Sequence, residues 1–334
     1  MFTPVQTFLG GLLLHFSTSS LLENTGRVFG ISGILQGAVL GAHDKWQFSI
    51  LGGLLAGPII SHVTGLQTLF PGTGPETIAQ IGLERIILAG TLVGFGTRLG
   101  SGCTSGHMLC GVSRLSPRSL LATMLFFTTA VITANLSPPP ISSSVAYALE
   151  IPSRTTAAVL LAVVAGAALV HSRLALLNDQ LKQLPFILCG ITFSLGLSVS
   201  GMSDPAKVQG FLQLFNIRKF DPSLALILVG GVFPNAIHYA RMEKKARLPW
   251  ETWNVPSRTD VDWQLIIGSL IFGVGWGLTA ICPGPALVCL SETVYRWVIH
   301  DTTLPSDALT NIVTFTCAVI LSMALGSKIP RPKA

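Results

Sequence analysis

Long apolar runs alternate with short polar loops along almost the whole chain. A helix that crosses a bilayer needs about 20 mostly apolar residues. The runs therefore predict about ten membrane segments, near residues 5–22, 27–42, 47–64, 83–100, 118–136, 155–171, 185–202, 222–239, 262–280 and 308–326. The predicted fold class is an all-α integral membrane protein.

Two further apolar pieces, residues 102–113 and 284–299, are shorter and are interrupted by glycine or proline. Each directly follows a cysteine motif. Backbone that is not a complete spanning helix is tolerated at membrane depth only where protein or a polar cavity covers it. Both pieces are therefore predicted to be re-entrant or half-length helices.

The stretch Gly94–Gly111, GFGTRLGSGCTSGHMLCG, recurs 179 positions later as GVGWGLTAICPGPALVCL. In this alignment without gaps, Cys103 meets Cys282 and Cys110 meets Cys289. Several coincidences in one window, with both cysteine pairs at the same spacing, indicate an internal repeat.

The repeat is predicted to be inverted, because five segments precede residue 150 and five follow it. Residues 1–150 form the first membrane repeat and 151–334 the second, within a single transmembrane domain. The alignment offset drifts along the chain, which places an insertion at 202–223. Transporters built from inverted repeats hold substrate near the bilayer midplane, where interrupted helices of the two halves meet.

Composition supports a membrane protein, since 49% of residues are hydrophobic, 11% are charged and the mean hydropathy is +0.62. Soluble domains carry about 25% charged residues. The first residues lack a basic region and a cleavage site, so they are interpreted as a membrane segment and not as a signal peptide. The net charge of +6 comes with no signal for nucleic-acid binding.

Basic residues cluster in the loop after the eighth segment and in the tail, and the positive-inside rule places both in the cytoplasm. These residues are Arg241, Lys244, Lys245, Arg247, Arg258, Lys328, Arg331 and Lys333. Counting segments puts Arg114, Arg118 and both termini on the same side. Lys207, Arg218 and Lys219 oppose this orientation, because the count puts them outside. The predicted location is the plasma membrane, with an organelle membrane as the alternative.

Cys103 lies in the glycine-rich break Gly102–Gly106, and the next helix is predicted to begin near Thr104. A helix amino terminus attracts anions and favours a thiolate. Cys282, followed by Pro283 and Gly284, repeats this design, since proline suits the first turn of a helix. The two thiols are predicted to face one permeation axis, and the alternative is that both are small buried residues. For Cys110 and Cys289 packing is the favoured role.

Other residues carry weaker signals. Arg98, at the membrane edge, either attracts anions or extends its charge to the interface. His107 could titrate near neutral pH, but a structural role is the favoured interpretation. Cys189 has no cysteine counterpart in the first repeat, and Cys317 is interpreted as filler. No metal-ligand or nucleophile motif occurs, so neither a cofactor, a metal nor an enzymatic activity is predicted.

The segments GFGTRLGSGCTSGHMLCGVSRLSPRSLLAT, GMSDPAKVQGFL, FDPSLALILVGG and FGVGWGLTAICPGPAL resemble the YeeE/YedE sulfur-transport family over residues 26–327. The resemblance implies thiosulfate uptake through an hourglass-like body, with cysteines relaying the ion past a central constriction. It assigns the motif cysteines to Cys103 and Cys282. Some members carry a further cysteine near the amino end, where this chain has Ser32, and Cys189 is the candidate substitute.

The expected substrate path contains eleven residues. They are Arg98, Gly102, Cys103, Thr104, Ser105, Gly106, His107, Cys189, Cys282, Pro283 and Gly284. The expected partners are thiosulfate or a similar sulfur anion, the lipid bilayer, and a cytosolic sulfur-carrier or sulfurtransferase protein. Two alternatives remain open: a membrane thiol oxidoreductase that cycles Cys103 and Cys282 between dithiol and disulfide, and a channel or transporter for another anion.

Overall fold

The computed structural model describes residues 2–41, 43–70, 74–141 and 149–330. Within these ranges the regular structure is helical and includes no β-strand. The helices are α1 (Pro4–Thr25), α2 (Ile31–Leu40), α3 (Lys45–Val63), α4 (Gly74–Ala79), α5 (Leu83–Leu99), α6 (Pro117–Leu136), α7 (Arg154–Arg173), α8 (Leu184–Ser200), α9 (Pro205–Leu212), α10 (Phe233–Arg241), α11 (Trp263–Thr279), α12 (Pro283–Val298) and α13 (Ser306–Gly326). Two π-helices are also present, Ser105–Val112 and Leu228–Val232.

Six helical stretches among the described residues are long and apolar enough to cross a membrane, and a seventh counts if one bent pair forms a single span. The six are Lys45–Val63, Pro117–Leu136, Arg154–Leu176, Pro222–Arg241, Trp263–Val298 and Ser306–Gly326. The predicted class, an all-α multi-pass membrane protein, is confirmed. The count of ten segments and the inverted repeat stay predictions. Arg331 and Lys333 of the basic tail lie outside the described residues.

The segment expected to span at 27–42 contains only α2, a helix of 10 residues. The chain is extended at Gly30, where α2 begins, and leaves the helical region again at Gly41. At 1.5 Å per residue, α2 is about 15 Å long, half the thickness of the hydrocarbon core. The prediction of a full helical span at residues 27–42 is therefore wrong.

The helix after the second cysteine motif has the predicted length but is more regular than predicted. α12 is continuous over 16 residues, and its prolines, Pro283 and Pro285, both lie in the first turn. Proline is tolerated there because the first N–H groups of a helix have no intrahelical acceptor. After the first motif, by contrast, the π-helix Ser105–Val112 has eight residues, too few to cross a bilayer.

A sharp bend of 63° separates α8 from α9. Gly201 ends α8 with a left-handed φ of 76°, and the carboxylate of Asp204 caps α9 by accepting a hydrogen bond from the N–H of Ala206. This bend lies in the insertion predicted at 202–223. Lys207, counted above as a loop charge, is in fact buried and bonds to Thr3, so it is weak evidence about orientation.

Glycines let the central helices pack backbone against backbone. A Cβ on Gly96 of α5 would lie 2.4 Å from the backbone nitrogen of Phe272 on α11. A Cβ on Gly53 of α3 would lie 2.2 Å from the carbonyl oxygen of Ile187 on α8. These contacts confirm close packing at both glycines. Among the described residues, nothing lies within 4 Å of the position that a Cβ on Gly33 would take, so close packing does not explain this glycine.

Candidate functional site

Both motif cysteines follow a backbone reversal of the same kind. Ser101, two residues before Cys103, has a φ of 61°, and Ala280, two residues before Cys282, has a φ of 60°. This left-handed conformation costs a non-glycine residue about 1 kcal/mol. The reversals follow the ends of α5 and α11, so each cysteine stands between a finished helix and the start of the next one.

The two cysteines line one small cavity of about 20 Å³. That volume accommodates about one water molecule. The lining residues are Leu14, Cys103, Thr104, Ser105, Met108, Leu109, Phe193, Leu197, Met202, Ile227, Cys282, Gly284 and Pro285. Both thiols are buried, at 1% exposure for Cys103 and 4% for Cys282. We call this space the thiol cavity.

Two hydroxyl groups stand beside the two thiols. The Sγ atom of Cys103 lies 3.3 Å from the Oγ atom of Ser105. The Sγ atom of Cys282 lies 3.4 Å from the Oγ1 atom of Thr104. Ser105 Oγ also accepts a hydrogen bond from the N–H of Ile31, at 3.1 Å. The adjacent residues Thr104 and Ser105 therefore form a polar link between thiols that come from the two halves of the chain.

The remaining wall of the thiol cavity is apolar, and none of its lining residues carries a formal charge. Leu14 comes from α1, Phe193 and Leu197 from α8, and Met202 from the bend after α8. An apolar wall lowers the local dielectric constant, which strengthens the hydrogen bonds between a polar ligand and the few donors present. Sequence reasoning missed these apolar residues because nothing distinguishes them from the other leucines and phenylalanines of a membrane protein.

His107 does not line the thiol cavity. Its Nε2 atom lies 3.0 Å from the carbonyl oxygen of Gly100, and its Nδ1 atom lies 3.1 Å from the hydroxyl of Ser119. A carbonyl accepts hydrogen bonds only, so Nε2 carries the proton and Nδ1 accepts from Ser119. The ring occupies space left by Gly102, whose Cβ would lie 2.6 Å from Nε2. These contacts fit the structural role favoured above.

Two other predicted path residues also lie elsewhere. The aliphatic stem of Arg98 packs against Gly326 at the end of α13. Cys189 is buried where α8 meets α1, and its carbonyl accepts a 2.7 Å hydrogen bond from Ser17. Neither side chain lines the thiol cavity, and Pro283 does not either, although Gly284 and Pro285 do. Of the predicted path residues, the structure thus brings together Cys103, Thr104, Ser105, Cys282 and Gly284 at the thiol cavity.

A second, larger cavity of about 350 Å³ lies on the other side of segment 102–106. Gly102 and Gly106 line it, whereas the three residues between them line the thiol cavity. The complete lining is Val28, Gly30, Ser32, Gly33, Ile34, Trp46, Ser101, Gly102, Gly106, His107, Arg114, Ser116, Arg118, Ser119, Pro256 and Arg258. We call this space the arginine vestibule.

Metal ligation has no support within the described ranges. No group of three or more His, Cys, Asp or Glu side chains there lies close enough to hold an ion. All six cysteines are free thiols, and Cys317 is exposed on α13.

Comparison with known proteins gives a family for the chain. Residues 181–325 match a family model described as "Family of unknown function (DUF6691)". A "Probable transporter" of Xylella fastidiosa strain Temecula1 is 43% identical over 126 residues, which are 38% of this chain and 89% of that relative. A further "Probable transporter", of Xylella fastidiosa strain 9a5c, is 36% identical over 104 residues, which are 30% of this chain and 70% of the relative.

The chain belongs to the family of these probable transporters. Together with the apolar helices, this membership makes the protein a multi-pass membrane transporter. The relatives are much shorter than this chain. Because 126 residues make up 89% of the first and 104 residues make up 70% of the second, they are about 140 and about 150 residues long. Each is therefore less than half the length of this transporter, which has 334 residues.

Proposed function

We propose that this transporter takes up thiosulfate or a related small sulfur oxyanion, and that the ion passes Cys103 and Cys282 at the thiol cavity. One observation carries the proposal: both thiols line the same buried space, each beside a hydroxyl of the 104–105 pair. The resemblance of the cysteine motifs to the YeeE/YedE family supports thiosulfate as the substrate.

The chemistry of the thiol cavity suits an anion that must bind weakly and leave again. Thiol and hydroxyl groups donate hydrogen bonds to the sulfur and oxygen atoms of the ion. The polarizable sulfur atoms of the two cysteines also suit contact with the polarizable terminal sulfur of thiosulfate. A pore lined by fixed positive charges would instead hold a dianion for a long time, because conduction requires binding that is weak enough to release. At the start of α12 the N–H of Gly284 adds one further donor, because Pro283 and Pro285 have no N–H and the N–H of Ala286 already donates to the carbonyl of Cys282.

Passage of the ion requires the thiol cavity to widen, since it now holds little more than one water molecule. The π-helix Ser105–Val112 forms part of its wall through Ser105, Met108 and Leu109. π-Helical turns are uncommon and occur often at functional sites. We assign the opening movement to this segment, and leave Arg98 and Cys189 off the path because they do not line the cavity.

The orientation that belongs to this proposal places both termini and the basic loop after α10 in the cytoplasm. The ion would leave on that side, where a cytosolic sulfur-carrier or sulfurtransferase protein would consume it. Epitope tags at either terminus, probed in intact and in permeabilised cells, test the orientation.

Uptake of radiolabelled thiosulfate into proteoliposomes tests the proposal. Cys103→Ala and Cys282→Ala should each abolish uptake, because each removes a donor at the cavity. Cys110→Ala and Cys317→Ala are the matched controls and should retain most of the activity, since neither residue lines the thiol cavity. Full uptake by both of the first two variants would exclude the relay.

The same vesicles separate the other-anion alternative. Unlabelled thiosulfate, sulfite, sulfate and chloride are added in turn to the uptake assay. Thiosulfate should compete best, because its terminal sulfur is the softest acceptor for the thiols. Equal competition by sulfate would instead favour a general oxyanion carrier.

A further inference from the structure

The arginine vestibule contains three guanidinium groups, and two of them are already paired. Arg118 lies 3.2 Å from the carboxylate of Asp262, and Arg258 forms ion pairs with Asp260 and Asp262. Their charges are therefore largely compensated before any ligand binds.

Arg114 differs from the other two arginines. Its Nε donates to the carbonyl of Cys110 and its Nη1 to the carbonyl of Pro256, both at the long distance of 3.4 Å. Over the ranges that the structure describes, Arg114 forms no ion pair with a carboxylate. A half-buried cation whose charge no carboxylate compensates favours the binding of an anion.

Ser32 supplies an independent observation in the same vestibule. Its side chain is only 3% exposed, and its Oγ atom has no hydrogen-bond partner among the described residues. A buried hydroxyl without a partner is unfavourable, and most such groups in proteins are bonded to protein, water or ligand. Ser32 lines the vestibule, so a molecule bound there can supply the missing partner.

The backbone at Ser32 favours the same kind of ligand. Ser32 is the second residue of α2, whose amino terminus follows Gly30 and has no side-chain cap. The N–H of Ile31 donates to Ser105, whereas the next N–H groups of a first helical turn have no intrahelical acceptor. Such N–H groups and the positive end of the helix dipole attract oxyanions.

We propose that the arginine vestibule is a second oxyanion site, in which Arg114, the Ser32 hydroxyl and the start of α2 hold a small oxyanion beside segment 102–106. The occupant is the transported ion, and this identity rests on the proposed function. The vestibule holds the ion on one side of the segment whose other side carries Cys103. Gly30 and Gly106 pack against each other in the wall of the vestibule, since a Cβ on Gly30 would be 3.6 Å from the Cα of Gly106.

Binding to purified protein tests the vestibule without depending on the direction of transport. Equilibrium dialysis with radiolabelled thiosulfate, at constant ionic strength, is performed on a Cys103→Ala/Cys282→Ala background that lacks the thiols. This background should still bind the ion. Adding Arg114→Gln should weaken binding about tenfold, because a charge-assisted hydrogen bond is lost. Adding Ser32→Ala should weaken it about threefold, as expected for a neutral hydrogen bond.

Arg241→Gln on the same background is the control, because it removes one positive charge outside the vestibule. It should leave the affinity unchanged. Unlabelled sulfate should compete, since the site recognises oxyanions by charge and hydrogen bonds. Arg114→Lys should retain part of the affinity. Size-exclusion profiles and thermal unfolding midpoints establish that each variant is folded, and Ser32→Ala alone suffices if an arginine variant is not.

No saturable binding in the Cys103→Ala/Cys282→Ala background would overturn the vestibule site. An unchanged affinity in Arg114→Gln and Ser32→Ala would do the same. The two proposals fail separately: full transport by the double cysteine variant would remove the thiol relay and leave the vestibule site standing, whereas loss of transport with no residual binding would remove only the vestibule site.

Discussion

The Oγ1 atom of Thr104 lies 3.4 Å from the Sγ atom of Cys282, although 178 positions separate the two residues in the chain. The neighbour of Thr104 on one side is Cys103, and on the other side it is Ser105, whose hydroxyl is close to the Cys103 thiol. The first cysteine motif thus reaches the second through a threonine side chain. Thr104 belongs to the site as directly as the cysteines do.

Thr104→Val should reduce thiosulfate uptake by between about threefold and tenfold, because valine keeps the shape of threonine and removes its hydrogen bond. Thr104→Ser should retain most of the activity, since it keeps the hydroxyl. Initial rates in proteoliposomes measure both. If the valine variant transports as fast as the serine variant, the hydroxyl has no part in transport.

Gly96→Ala should destabilise the protein by about 2 kcal/mol, because its Cβ would overlap the backbone of Phe272 and force α5 away from α11. Gly52→Ala on α3 is the matched control, since no described residue lies within 4 Å of the added methyl group. That control should be neutral or slightly stabilising, as alanine favours helix. Thermal unfolding in detergent compares the two, and equal midpoints would contradict the packing argument.

Asp301 should give the protein an acid-dependent stability. Hydrogen bonds from Thr303, and the guanidinium of Arg296, lower the pKa of Asp301 to about 2. An unfolded aspartate has a pKa of about 3.9, so the stabilisation is complete above pH 4 and disappears as the pH falls toward 2. Asp301→Asn should therefore be less stable than the original protein at pH 6, and the difference should shrink between pH 4 and pH 2.

Unfolding midpoints of the two proteins, measured in parallel at several pH values, provide this difference. The other carboxylates are the same in both proteins, so their contribution to the pH dependence of stability cancels in the difference. A difference that stays constant between pH 6 and pH 2 would mean that folding does not lower the pKa of Asp301.

Alkylation should distinguish the buried thiols from the exposed one. Cys317 is exposed on α13, whereas Cys103 and Cys282 are almost completely buried. Cys317 faces detergent in the middle of a spanning helix, where the thiolate is disfavoured, so N-ethylmaleimide, which enters detergent, should modify Cys317 sooner than the two cavity cysteines but more slowly than a thiol in water. Peptide mass mapping at increasing reaction times measures the order. Rapid modification of Cys282 without substrate would show that the thiol cavity is open in the resting protein.

Non-reducing peptide maps separate transport from thiol redox chemistry. Because the proposed relay uses hydrogen bonds only, Cys103 and Cys282 should remain reduced during turnover. A disulfide between them that forms and disappears with substrate would favour the oxidoreductase alternative.

Several features followed from local sequence, and others did not. The motif spacing located both cysteines and the helix start at Pro283, where proline in the first turn is a local preference. Local reasoning overestimated how far proline interrupts α12, because prolines that break a helix interior are harmless in its first turn. It also failed at 27–42, where apolar residues continue beyond the ends of the short helix α2.

The sequence by itself determined that this protein is helical, lies in a membrane and carries two cysteine motifs of equal spacing, because hydropathy and short motifs depend only on neighbouring residues. Only the tertiary structure decided that Thr104 meets Cys282, that Cys189 and Arg98 stay off the cavity, and that Ser32 and Arg114 share the vestibule. These relationships depend on how helices from distant parts of the chain pack, and the close approach of their backbones sets which side chains share an enclosed space.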